Sequence, residues 1–169
     1  MAERGKSVLR EGMEKAPSSV EDAPEEKIIK ALMNDFPTAI TDFKKLRAGV
    51  VRAKIERRDL LKACKFLRDS LGFEHISMIS AVEYDNRFEI VYHISSYAKR
   101  MVVELITDTP LDDPTVESVS SVWGGANWHE REAYDLMGIK FNNHPKLERI
   151  LLPKDYLYHP LRKDFQGGD

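Results

Sequence analysis

The sequence predicts an α+β fold: a mixed, largely antiparallel sheet with helices packed on one face, followed by an extended C-terminal segment. Runs rich in β-formers lie at residues 49–56, 75–83, 87–95 and 100–107, the first alternating strictly. Helical apolar stripes lie at residues 59–71 and 128–138. Residues 139–165 are apolar yet carry neither helical nor strand periodicity of any length.

Residues 1–23 mix Glu, Lys, Arg, Ser and Pro17 with few large apolar side chains, the composition of a mobile tail. From Pro24 onward, Ile28, Ile29, Leu32 and Met33 recur at helical spacing, and Pro37 stops the run. In residues 49–56, Val51, Ala53 and Ile55 share one parity while Val50, Arg52 and Lys54 take the other, as in a half-buried strand. Leu60, Leu61, Cys64, Leu67 and Leu71 then form one helical stripe. Asp59 is placed to cap that helix, and Gly72 offers a left-handed stop that lets Phe73 fold back on Leu67.

Asp85-Asn86 tolerates the positive φ of a tight hairpin, so residues 75–107 read as an antiparallel meander. The strand, helix and strand within residues 49–83 allow a crossover, right-handed if the two strands are parallel. Val116 to Trp123 reads as a short helical turn. Asn127 as N-cap with Glu130 three residues on forms a capping box for the next helix, and Gly138 ends it with Ile139 packing back on Tyr134. Ala133, Tyr134, Leu136 and Met137 fall on one side of that helix; Trp128, Arg131, Glu132 and Asp135 fall on the other. The second face reads as a solvated surface with an i, i+4 pair between Arg131 and Asp135, or as a docking surface anchored by Trp and Arg.

A chain of 169 residues suits one domain. The expected division is a tail at 1–23, an α+β domain at 24–138 and a partner-docking segment at 139–169. With 26 Lys and Arg against 28 Asp and Glu, the formal charge of -2 argues against a dedicated nucleic-acid binder. No apolar run approaches the ~20 residues of a membrane span, which implies a cytosolic or peripheral protein. The single cysteine, Cys64, fits a core position; it excludes an internal disulfide and falls short of the roughly four thiolates that an iron–sulfur cluster needs. Any redox role must therefore use a partner's cofactor.

Catalytic motifs are weak. His129-Glu130 opens like a zinc-protease helix, but position 133 is Ala where the second His must stand one turn on. His75, His93, His144 and His159 are scattered, so a metal-dependent hydrolase using His129, Glu130 and His144 is a second reading and a soluble adaptor a third. Gly5-Lys6-Ser7 lacks the earlier glycine of a phosphate loop, and Gly124-Gly125 ahead of a helix reads as a flexible connection, with an anion site the alternative. The apolar C-terminal stretch either wraps its own domain or lies along another protein, and its Arg149, Arg162, Lys163 and Asp164 suit charge-paired docking or an ordinary exposed charge cluster.

These residues, taken as Glu130-Arg131-Glu132, Tyr134-Asp135, Gly138-Ile139, Phe141, His144-Pro145, Leu147, Arg149-Ile150-Leu151 and His159-Pro160-Leu161-Arg162-Lys163-Asp164-Phe165, resemble a known family. It is the C-type, or thirty-kilodalton, subunit of the peripheral arm of respiratory complex I, with counterparts in energy-converting membrane-bound [NiFe] hydrogenases. The resemblance implies a non-catalytic subunit without a cofactor, on the cytoplasmic side of a membrane-anchored complex. Its implied partners are the large catalytic subunit, of quinone-site or [NiFe] type, and a small iron–sulfur subunit. It also implies structural or interface roles for Glu130, Arg131, Glu132, Asp135, His144, Arg149, His159, Arg162, Lys163 and Asp164. Tyr158 stands where complex I members usually carry glycine, and the chain ends soon after Phe165, which favours the hydrogenase-like branch.

Overall fold

The computed structural model describes residues 23–167, so the predicted tail and Gly5-Lys6-Ser7 lie outside the described residues, Ala23 excepted. Helix α1 spans Pro24–Asp35 and buries Ile28 and Leu32. Strands β1 (Ile40–Arg47) and β2 (Val50–Ile55) form an antiparallel pair, and α2 (Leu60–Asp69) follows a 3₁₀ turn at Arg57–Asp59. Strands β3 (His75–Glu83), β4 (Arg87–Ser96) and β5 (Met101–Pro110) make the predicted meander. Strand β6 (Thr115–Glu117), helix α3 (Ala126–Met137) and strand β7 (Lys140–Asn142) complete the regular structure, with β6 parallel to β7.

The main sheet has the order β1-β2-β5-β4-β3. It is mixed because β2 pairs with β5 in parallel, Val50 opposite Val102 and Lys54 opposite Ile106. β2 and β3 run the same way, as the crossover requires, but β5 and β4 lie between them. One face of β4 buries Phe88, Ile90, Tyr92 and Ile94 in a single cluster with Ile28 and Leu32 of α1, Leu60 and Leu67 of α2, and Met137 of α3. The opposite face carries a ladder of ion pairs, Arg52–Glu104 at 2.7 Å, Lys54–Asp108 at 2.6 Å and Arg87–Asp108 at 3.3 Å.

Several local expectations need correction. β1 lies where the sequence shows no alternating apolar residues, because an edge strand beyond the core exposes both parities. Asp59 makes no side-chain cap to α2; its carboxylate takes Lys62 Nζ at 3.0 Å. The α2 stop is as expected: Gly72 has φ +67°, and Phe73 N–H donates to Leu67 O at 2.9 Å. Part of the expected turn from Val116 is strand β6, and only Val119–Trp123 turns. Cys64 is fully buried, and burial, together with the charge of Glu130, raises its thiol well above the ordinary value.

Candidate functional site around the third helix

α3 begins at Ala126 after Gly125 and has no side-chain cap, so Asn127 and Glu130 do not form the expected capping box. Glu130 instead crosses to the preceding loop. Its Oε2 accepts from Ser118 Oγ at 2.6 Å and its Oε1 from Val119 N–H at 2.7 Å, with the side chain fully buried. Burial raises this carboxyl to about 7, even though both donors favour its charge. His144 approaches it, with Nε2 3.8 Å from Glu130 Oε2 and 3.2 Å from Asn127 O. His144 Nδ1 accepts Lys146 N–H at 3.0 Å, which makes the imidazole a neutral Nε2–H tautomer whose lone pair is already used. Burial lowers its pKa accordingly.

That geometry bears on the hydrolase reading. A metal needs the lone pair that His144 gives to Lys146 N–H, and no three His, Cys, Asp or Glu residues are placed for a metal among the described residues. His129 is not brought onto the Glu130–His144 pair by any hydrogen bond among the described residues.

The other end of α3 is the centre of a clasp. Asp135 is fully buried, and its Oδ2 accepts three successive backbone N–H groups, Ile150 at 2.9 Å, Leu151 at 2.8 Å and Leu152 at 3.0 Å. Its Oδ1 pairs with Arg149 Nη1 at 2.6 Å. Burial alone would raise this carboxyl, but the N–H groups of Leu152, Leu151 and Ile150 with the Arg149 guanidinium outweigh it and bring the pKa to about 2.

Residues 143–167 contain no helix or strand, yet they satisfy carbonyls that the end of α3 leaves unpaired. Tyr134 O is closed by the helix's own C-cap, Gly138 N–H at 2.9 Å, whereas Leu136 O takes Leu161 N–H from the segment at 3.0 Å. Asp135 O accepts from Arg149 Nη1 and His159 Nδ1, each at 3.0 Å. Met137 O accepts from Arg162 Nε at 2.6 Å, and the guanidinium lies 5.4 Å from the Phe88 ring centre. Cations at the negative end of a helix are favoured electrostatically as well.

Arg131 grips the same segment, donating from Nε to Glu148 O at 3.0 Å and from Nη2 to Arg149 O at 3.2 Å. The expected Arg131–Asp135 ion pair is therefore absent, because both side chains are engaged by residues 148–152. The solvated-face reading fails at Asp135 for the same reason.

Gly138 is where the clasp is tightest. Its φ is +74°, and a Cβ there would lie 2.6 Å from Arg162 Nη2 and 2.7 Å from His159. Gly138→Ala should combine left-handed strain of about 1 kcal/mol with displacement of both caps. The expected outcome is a lower Tm with tryptic cleavage at Arg162 and Lys163; an unchanged cleavage pattern would refute the close approach.

Of the ten residues given structural or interface roles by the resemblance and Trp128 of the docking face, Glu130, Arg131, Asp135, His144, Arg149, His159 and Arg162 are thus drawn around α3. Lys163 ties the segment to the β3–β4 hairpin, its N–H donating to Glu83 at 2.9 Å and its Nζ meeting Asp85 at 3.0 Å. Trp128, Glu132 and Asp164 are exposed. Trp128 is 60% exposed with the Arg131 guanidinium 5.3 Å from its ring centre. Ser118, Glu83 and Asp85 are participants that periodicity does not mark, since each sits in a loop or at a strand end.

Residues 53–169 match the family model of the respiratory-chain NADH dehydrogenase 30 kDa subunit. The C-type subunit of the F(420)H(2) dehydrogenase of Methanosarcina mazei is 43% identical over 148 residues, covering 83% of this chain and 90% of that protein. The C-type subunit of the NADH-quinone oxidoreductase of Geobacter sulfurreducens is 40% identical over 144 residues, covering 82% and 88%. In fold the chain is similar to an archaeal membrane-bound sulfane sulfur reductase structure (TM-score 0.74, 24% identity, 83% and 84% covered). It is also similar to a trypsin-resistant fragment of Nqo5 (TM-score 0.61, 23% identity, 72% and 98% covered).

Proposed function

The chain belongs to the respiratory-chain NADH dehydrogenase 30 kDa subunit family and is a subunit of a membrane-bound oxidoreductase complex, and from that premise we propose that it is a non-catalytic scaffold. In this reading it lies on the cytoplasmic side and braces the large catalytic subunit and the adjacent iron–sulfur subunit. Among the described residues no helix is long and apolar enough to cross a membrane, which suits attachment through partners.

The supporting observation is the chemistry of the clasped segment. Arg149, His159 and Arg162 of the segment are turned onto α3, while Leu151, Leu157, Tyr158 and Leu161 stay outward, with Leu157 82% exposed. Apolar side chains held outward on a backbone fixed by buried hydrogen bonds make a preorganised docking surface, which binds without the cost of ordering it. The contribution to the reaction is geometric: redox subunits must be held in fixed relation for electrons to pass between them. The names of the relatives favour an NADH- or F420H2-oxidising complex, and the fold likeness to the sulfane sulfur reductase keeps a hydrogenase-like complex beside it.

The test is co-purification of the tagged chain from gently solubilised membranes of its host, with iron and nickel assayed. Membrane subunits and an iron–sulfur protein are expected, and stoichiometric nickel would select the hydrogenase-like branch. Leu157→Asp should reduce partner recovery at least tenfold without lowering the amount of chain. Arg162→Ala is a poorer probe, because Arg162 caps α3 of its own domain. A chain recovered alone and carrying zinc would overturn the scaffold reading.

A further inference from the structure

The two edges of the main sheet differ in how they meet solvent. β1 carries Asp42, Lys44, Lys45 and Arg47 and has two register shifts, features that discourage pairing with another strand. β3, at the opposite edge, has no charged side chain between Ile76 and Val82, and Met78 and Val82 are more than two-fifths exposed. A bulge near Ile76 disturbs only its beginning.

The backbone groups that this edge offers can be assigned. Tyr84 N–H donates to Arg87 O at 2.8 Å, and in an antiparallel pair hydrogen-bonded residues alternate. Through the register of β3 on β4, Val82, Ser80 and Met78 turn their N–H and C=O groups to β4, leaving those of Ile79 and Ala81 directed outward. Beside them lies a groove of about 220 Å³ between β3 and α3, lined by Ala133, Leu136, Met137 and Leu161, with Glu132 on it. Among the described residues Glu132 has no ion-pair partner.

We propose that this edge and groove take an extended segment of another subunit as a sixth strand, with apolar side chains in the groove and a Lys or Arg facing Glu132. The unpaired N–H and C=O groups select a strand rather than a helix, the groove beside them selects apolar side chains, and the lone carboxylate selects a cation. A second copy of this chain fits less well, because isologous pairing would bring two copies of Glu132 to one seam. The added strand rests on the scaffold reading and goes beyond it in the edge used and the conformation of what binds there.

Residue-resolved hydrogen exchange on the intact complex tests it with an internal control. The Ile79 and Ala81 amides should exchange within tenfold of those of Ser80 and Val82; exchange faster than that would overturn the proposal. In the host, Ala81→Pro removes one outward N–H while sparing the ladder to β4, and should lower recovery in the complex at least tenfold, whereas Ala81→Val should not. Assembly of Ala81→Pro at the wild-type level would count against the added strand. A photoreactive residue at Met78 should cross-link to another subunit, and an adduct of two copies would overturn the choice of partner. A chain that co-purifies with its partners but keeps an open β3 edge defeats this inference alone; a chain recovered alone defeats the scaffold reading and this one with it.

Discussion

Asp135→Asn is expected to release residues 149–163 from α3 and to lower stability by about 3–5 kcal/mol, the cost of breaking a buried ion pair by removing one partner. The amide matches the carboxylate in shape but not in hydrogen bonding. One Asp135 oxygen faces three N–H donors and the other faces Arg149, so either orientation of Asn sets an NH₂ group against a donor. Tm should fall by roughly 10 °C. Trypsin should then cut at Arg149 and Lys154, and a wild-type digestion pattern would refute the clasp. The acid limb changes too. The folded pKa of about 2 lies below the ordinary 3.8, so this contribution is present above the unfolded value and is lost as pH falls through about 2. Asp135→Asn should lack that acid dependence.

Glu130→Ala is expected to cost about 3 kcal/mol, because it strands Ser118 Oγ and Val119 N–H and opens a cavity in the core. Glu130→Gln separates charge from shape. With a folded pKa near 7 against an ordinary 4.5, the folded chain keeps a proton that the unfolded chain has lost. The associated stability is full below the unfolded value and declines as pH rises through about 7, by at most ~1.4 kcal/mol per pH unit. His144 acts in the opposite sense: its lowered pKa contributes stability above 6.5 that is lost as pH falls through its folded value. Glu130→Gln should therefore remove the decline and leave the rise due to His144. Denaturant titrations from pH 5 to 8 would show it, and parallel profiles for the two proteins would refute the assignment.

Much of this architecture is legible locally. α1, α2 and the meander announce themselves through spacing, and Gly72 and Gly138 mark real left-handed stops. β1 is not legible, since a strand that exposes both parities leaves no hydrophobic period. The motif residues are identifiable as a set, but their use is not. Asp135 meets Arg149 and Arg162 meets Met137 across segments without periodicity, where no spacing rule links them. Glu130 likewise fits a local capping pattern so well that its longer reach to Ser118 and Val119 is hidden.

The parallel seam between β2 and β5 constrains how the chain reaches this state. The β1–β2 pair and the β3–β4–β5 meander each join neighbours in sequence, so each can close early at little loop entropy. Val50 and Val102 are joined across α2 and most of the meander, so their pairing carries the larger loop-closure cost. Joining the two pieces is thus the late, high-contact-order step that sets the folding rate. Destabilising changes within the meander's hairpin, whose contacts are already made when the two pieces join, should therefore slow folding at least as much as equally destabilising changes at Val51 or Ala53.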